Sequence, residues 1–211
     1  GDETTVQVLK EPGRAAQAKS TMWVQMTEGS GPQVTGPPIR LFAYSPSRST
    51  DAASKMYAGL RAGAVLMTDG YEVYDKIERA NQLVHLGCWA HARRYMVDAL
   101  QVLPKNARGP EQPAAQFIEL IAKLYAVESR ARKLAMNAQR RLHERQEHSA
   151  PVLKSIEALL LAHLHAVVPG SALGRALHYF SSQWPRLVRY VLDGRYPIDN
   201  NPCEMLTPTE N

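Results

Sequence analysis

Cysteine is almost absent: Cys88 and Cys203 are the only two in 211 residues. That excludes a disulfide scaffold and points to a reducing compartment. No apolar run reaches the ~18 residues of a membrane span. The opening "GDETTVQVLK" has neither the basic start nor the apolar middle of a signal peptide. It also lacks Met and runs directly into strand-like sequence, so an upstream segment is expected to be missing. There is no internal repeat and no low-complexity stretch.

Hydrophobic residues make up 45% of the chain, enough for the core of one large domain or two small ones. The net charge is +5 and the pI about 9.3, a balance that favours a polyanionic partner. The positive charge is uneven. "RARKLAMNAQRRLHERQ" gathers Arg130, Arg132, Lys133, Arg140, Arg141 and Arg145 around a single acid, Glu144. Such a helix can follow a DNA backbone, and it can equally be a solvated face.

The first third reads as strands: "TTVQVL", "TMWVQM" and "IRLFAYS", joined by the basic turn "KEPGRAAQAKS" and the loop "SGPQVTGPP". "DAASKMYAGL" has helical spacing with Ser49, Thr50 or Asp51 as N-cap. "GAVLMTDG" is a short apolar run of the kind a buried strand makes. "YEVYDKIERAN" reads as a helix, "LVHLGCW" as a strand and "AHARRYMVDALQVL" as a helix. From Pro104 the pattern becomes helical. "AAQFIELIAKLYAVESRARKLAM" places Phe117, Leu120, Ile121, Leu124 and Val127 on one face. "SAPVLKSIEALLLAHLHAVV" offers Ser149 as N-cap and Pro151 in the first turn. "SALGRALHYFSSQWPRLVRYVL" is expected to bend or break at Pro185. The three strands read as an antiparallel meander, and the strand–helix–strand unit as a parallel crossover.

Three acids stand at informative places. Asp2 begins the first strand, Asp69 follows "AVLMT", and Glu204 stands where a last helix would start. Carboxylates that converge at a sheet edge suit Mg²⁺ or Mn²⁺ better than zinc. Plainer readings stand beside this one. Asp69-Gly70 is an ordinary turn dipeptide. Asp2 could be an exposed terminal residue, and Glu204 a first-turn acid favoured by the helix dipole. Asp199, Asn200 and Asn201 are natural N-caps. Cys88 and His91 have the spacing of half a zinc site, with no second pair to complete it.

"DET" followed by "VL", then "YSPSR", "TDGY", "CWAHARR", "KLYAVE" and "DGRYPIDNN" occur in one order from residue 2 to about 201. Together they resemble the catalytic domain of DDE transposases of insertion sequence family sixty-six. The resemblance implies an α/β, ribonuclease H-like fold: a mixed five-stranded sheet with flanking helices and an all-helical insertion before the last catalytic helix. It divides the chain into a core over 1–103, an insertion over 104–192, and a return to the core over 193–211. It puts the catalytic, metal-binding acids at Asp2, Asp69 and Glu204, with two Mg²⁺ or Mn²⁺ ions expected. Cys88, His91, Asn200 and Asn201 would support them. His91 would reach the scissile phosphate or buttress Asp69, against the alternative of a packed strand-to-helix junction with Trp89 in the core.

The implied activity is cleavage of DNA at insertion-sequence ends, with attack of the freed 3′ hydroxyl on target DNA. Implied partners are double-stranded DNA and further copies of the chain in a homo-oligomer. The implied setting is the bacterial cytoplasm, at the nucleoid. Arg93, Arg94, Arg130, Lys133, Arg140 and Arg141 would bind DNA, though each could simply face solvent. The family continues "DNN" with one variable residue, Ala-Glu-Arg and a long basic segment. Here Cys203 replaces the Ala, Met205 the Arg, Pro202 precedes Cys203, and Pro208 is expected to stop the helix within a turn. A truncated or degraded copy is therefore expected, and its alternative function is that of a catalytically impaired remnant that only binds DNA or an intact partner. A structure-selective nuclease of the same fold is a third reading, disfavoured by "CWAHARR" and "IDNN".

Overall fold

A computed structural model describes residues 1–27 and 37–206. Most of the loop expected at "SGPQVTGPP" and the helix stop expected at Pro208 lie outside the described residues. The chain is mixed α/β. It divides into two compact units: residues 1–85 with 200–211, and residues 86–199.

The first unit opens with the expected meander. Strands β1 (Asp2–Gln7), β2 (Lys19–Met26) and β3 (Arg40–Ser45) pair antiparallel in the order β1-β2-β3. The register sets Asp2 opposite Val24 and Trp23 opposite Ala43. Helix α1 (Thr50–Met56) is capped by Ser49, whose Oγ accepts from the Ala52 N–H at 3.3 Å. Strands β4 (Val65–Thr68) and β5 (Val84–Gly87) form a second, two-stranded sheet around α2 (Val73–Asn81). The Gly63 N–H bonds to Gln82 O and the Val84 N–H to Ala64 O, both at 2.9 Å. The two bonds advance together along both segments, which is the parallel sense. Trp23, Ala53, Tyr57, Leu66, Val73, Tyr74, Ile77 and Leu83 make the core. Tyr74 meets Trp23 and Tyr57 edge to face, the arrangement that sets ring edges on ring faces.

The second unit is helical: α3 (Trp89–Gln101), α4 (Pro113–Lys133), α5 (Ala138–Glu144), α6 (Ala150–Leu164) and α7 (Ala172–Leu187). Trp89 is fully buried at its centre, its ring edge to face with Phe180, Trp184 and Tyr190. Its indole N–H donates to Leu187 O at 2.9 Å, so the polar handle of a large buried ring is satisfied.

Two local expectations need correction. Ser149 is not an N-cap. It ends a π-helical turn, Arg145–Ser149, that joins α5 to α6 without a break, and it is fully buried. Pro185 does not break its helix: α7 runs through it to Leu187 and tightens into 3₁₀ geometry over Val188–Leu192. A proline removes one main-chain donor, and two residues from the helix end the loss is local.

Arg145 explains the π turn. Its guanidinium is fully buried and grips Glu128 of α4 with two parallel bonds of 2.7 and 2.8 Å. It also donates to the carbonyls of Tyr190, Asp193 and Tyr196. The extra residue of a π turn aims this side chain inward. Gly194 completes the fit, because a Cβ there would sit 1.8 Å from Ala138 O. Arg145→Ala would leave Glu128 charged and buried and three carbonyls unsatisfied. The expected cost is about 3–5 kcal/mol by chemical denaturation. Arg145→Lys is expected to recover only part of it, because an ammonium cannot form the fork.

Candidate functional site

All three acids singled out in the sequence, Asp2, Asp69 and Glu204, lie in the first unit. The backbone around them is drawn together by a few long-range bonds. The Gly1 nitrogen donates to Met67 O in β4 at 2.8 Å. The carbonyl of Gly1 accepts from Asn200 Nδ2 at 2.9 Å. Helix α8 (Asn201–Glu204) starts at that point, and its Cys203 Sγ lies 3.7 Å from Val24 O, on the β2 residue opposite Asp2. Thus the start of β1, the end of β4 and the start of α8 share one junction.

Each acid reaches it by a different local device. Asp2 is the first strand residue and is buried, 8% exposed. Asp69 directly follows β4, half-buried. Its Oδ1 accepts from the Tyr71 N–H at 3.0 Å, closing an Asx turn over Gly70, which adopts φ +97°. Glu204 ends the single turn of α8 and is half-buried. Pro202 lies in the first turn of α8, where a missing N–H removes nothing. Pro202 is therefore compatible with a helix start.

The junction concentrates negative charge. Burial, followed by Asp69, raises the Glu3 carboxyl above its ordinary range against the opposing pull of Arg48 and Tyr74. Burial likewise raises the Cys203 thiol, with Asp2 and Glu204 adding to it. Among the described residues, Asp2, Asp69 and Glu204 do not form a set with every ligand atom within 4.8 Å of the others.

Of the supporting residues, Asn200 is buried and Asn201 exposed. Cys88 and His91 lie in the second unit. Cys88 is fully buried ahead of α3, and His91 Nδ1 is 3.3 Å from its Sγ. Of the basic residues, Arg93 and Arg94 are exposed on α3. Arg130, Lys133 and Arg140 are exposed, and Arg130 pairs with Glu144 at 3.2 Å. Arg141 is half-buried and bonds Gly194 O at 3.5 Å. Arg145, part of the same basic stretch in sequence, faces the interior.

Two groups escaped the sequence reading. His85 is fully buried, with Nε2 2.7 Å from Thr68 Oγ1 and Nδ1 3.1 Å from Glu78. With Asp75 these form a set of ligand atoms within 4.8 Å of one another. Both ring nitrogens are already engaged, so the set acts as a hydrogen-bonded brace behind Thr68, the residue before Asp69. A histidine inside the short apolar strand "LVHLG" was the available signal. The other is Arg48 of "YSPSR", whose guanidinium pairs with Glu3 and lies 3.9 Å over the Tyr71 ring.

A profile described as the Transposase IS66 family matches residues 1–205. The chain belongs to that family. The IS66-family chain is 31% identical over 209 residues to the uncharacterized protein y4jD of Sinorhizobium fredii (strain NBRC 101917 / NGR234), covering 96% of this chain and 39% of that protein. It is 29% identical to the uncharacterized protein y4qI of the same organism, covering 96% of this chain and 37% of that one. The chain therefore spans well under half the length of the curated relatives it matches. No solved structure matches it. Among the described residues, no helix is long and apolar enough to cross a membrane.

Asn200→Ala removes the side-chain bond from the start of α8 to the Gly1 carbonyl. It is expected to weaken local order by about 1 kcal/mol, read as faster amide hydrogen exchange in residues 201–204 with little change in the second unit.

Proposed function

We propose that this chain carries the catalytic acids of a DDE transposase that cleaves DNA at insertion-sequence ends and transfers the freed 3′ hydroxyl to target DNA. Asp2, Asp69 and Glu204 are the three acids in this reading. What supports it is the junction at Gly1, through which the segments bearing all three are hydrogen-bonded together across 66 and 199 positions of sequence. The bond from Gly1 to Met67 also sets β1 beside β4. That neighbourhood supports a five-stranded, ribonuclease H-like sheet in the order β3-β2-β1-β4-β5.

The donors suit Mg²⁺ or Mn²⁺ in kind: three carboxylate side chains, with no thiolate or imidazole among them. When bound, two such ions lower the pKa of a water or hydroxyl and stabilise the leaving oxygen of a phosphodiester. The chain's own residues do the rest. The Asx turn holds Asp69 at the end of β4. The Asn200 amide holds the start of α8 to β1. The brace of Glu78, His85 and Thr68 stiffens the end of β4, as a site built on rigid elements requires.

In this reading the exposed Arg93, Arg94, Arg130, Lys133 and Arg140, with Arg141, contact DNA phosphates, and the protein works as a homo-oligomer in the bacterial cytoplasm at the nucleoid. Cys88, His91 and Asn201 serve as supporting residues. A second reading, a remnant that binds DNA without cutting it, is favoured by one observation: α8 is a single turn, so Glu204 has little helix to hold it.

A strand-transfer assay with Mg²⁺ or Mn²⁺ on cognate element ends tests both. Asp69→Asn is expected to reduce joining to background while duplex binding persists. Equal joining by the wild type and Asp69→Asn would remove Asp69 from the catalytic role. Binding without joining by the wild type would establish the remnant instead.

A further inference from the structure

Four features of one side chain bear on how a polyanion could approach so acidic a junction. The Arg48 side chain is 49% exposed, whereas its partner Glu3 is 1% exposed. Its guanidinium carbon lies 3.9 Å over the Tyr71 ring. The Tyr71 hydroxyl donates to the Arg48 carbonyl at 3.0 Å, so backbone and side chain are both held by one residue. Tyr71 is also the residue whose N–H bonds Asp69. Glu3 follows Asp2 in β1, and the Tyr74 hydroxyl donates to its other oxygen. Arg48 is therefore fixed by Glu3 of β1 and by Tyr71, the residue whose N–H holds Asp69. Burial would lower its affinity for a proton, but Glu3, Tyr71 and Asp69 together raise it further.

We infer that Arg48 is a phosphate contact: a pre-ordered guanidinium that receives a DNA phosphodiester beside Asp69. The inference rests on the transposase reading and adds a residue to it. The physical need is plain. Glu3 and Asp69 repel a phosphodiester, and a cation in the same place offsets that repulsion. Arginine suits the task because its planar fork carries five donors. Its bond to Glu3 goes through one terminal nitrogen, Nη2. A stacked, ion-paired guanidinium has also lost its side-chain freedom before the ligand arrives, which favours binding. An arginine serving only to neutralise Glu3 would gain nothing from reaching solvent.

The test is duplex binding without divalent ions, using the full-length protein and an element-end oligonucleotide, as a function of salt. Each phosphate contact contributes about 0.9 to the slope of log K against log salt for B-DNA. Arg48→Ala is expected to bind more weakly at low salt and to flatten the slope by about that amount. Arg48→Lys keeps the charge and is expected to stay near the wild-type slope. Glu3→Gln combined with Arg48→Ala removes the carboxylate that the single variant leaves unpaired. The slope should remain flattened in it. Should Arg48→Ala melt early, Arg48→Gln can still accept a place beside Glu3 and gives the same comparison. A slope unchanged in Arg48→Ala or Arg48→Gln, or one restored by adding Glu3→Gln, overturns the assignment and leaves the transposase reading standing. A wild type that binds no duplex at all overturns both.

Discussion

A single glycine holds the candidate site together. The nitrogen of Gly1 binds the end of β4 and its carbonyl binds the start of α8. Both groups belong to the Gly1 backbone, while the bond to α8 needs the Asn200 side chain and the fit needs glycine, since a Cβ there would sit 1.8 Å from the Tyr57 hydroxyl. Three segments far apart in sequence become neighbours through two bonds, each worth about 1 kcal/mol in net terms. Bonds that weak do not assemble a site by themselves. They become effective because the antiparallel pairing of β1 with β2 and the aromatic core of Trp23, Tyr57 and Tyr74 have already fixed where β1 lies. Loop closure is met by the sheet and the core, and the two bonds then select one register at the edge.

The helical unit solves a different problem by a different means. Its apolar core accounts for most of its packing and takes in Ile198, with Tyr196 against it, from the segment after the 3₁₀ turn. Arg145 adds polar contacts to that segment's backbone from inside the protein. A buried ion pair is poor evidence of net stability, since desolvating two charges offsets much of their attraction. What the fork with Glu128 adds is direction. It leaves the remaining donors aimed at the carbonyls of Tyr190, Asp193 and Tyr196. The motif "DGRYPIDNN" thus has a structural cause for its glycine and for the basic residue far upstream that reads its backbone.

Much of the secondary structure was legible from pattern, because short apolar runs and helical spacing report burial directly. The strands at 2–7, 19–26 and 40–45 and the helices at 113–133 and 172–187 follow the spacing closely. What escaped was set by tertiary contacts. Arg145 sits in a run of bases on an amphipathic stretch, and nothing local distinguishes a cation pointing inward from its neighbours pointing outward. The distinguishing feature is Glu128, seventeen positions earlier. Ser149 followed by proline is a good N-cap signal, overridden because the preceding turn is already helical. Pro185 reads as a helix breaker because local rules cannot tell a proline two residues before a helix end from one in the middle. His85 and Arg48 were hidden for the same reason, since their partners lie 7 to 45 positions away.

The acids raise a final physical point. Electrostatics alone would keep Glu3 and Asp69 apart in a folded protein, and Asp69, after burial, raises the Glu3 carboxyl. Stability does not call for such an arrangement. A chain selected only to fold would place a neutral side chain at one of these positions, as Gln or Thr would fit a strand start or a turn. The acids are instead held in place by an Asx turn that fixes Asp69, a buried histidine bridging Thr68 and Glu78, and a half-exposed arginine stacked on Tyr71. Strain of this kind, maintained by its surroundings, is what functional sites carry. It is relieved when positive charge arrives from outside. Arg48 is the part of that balance that the chain itself supplies.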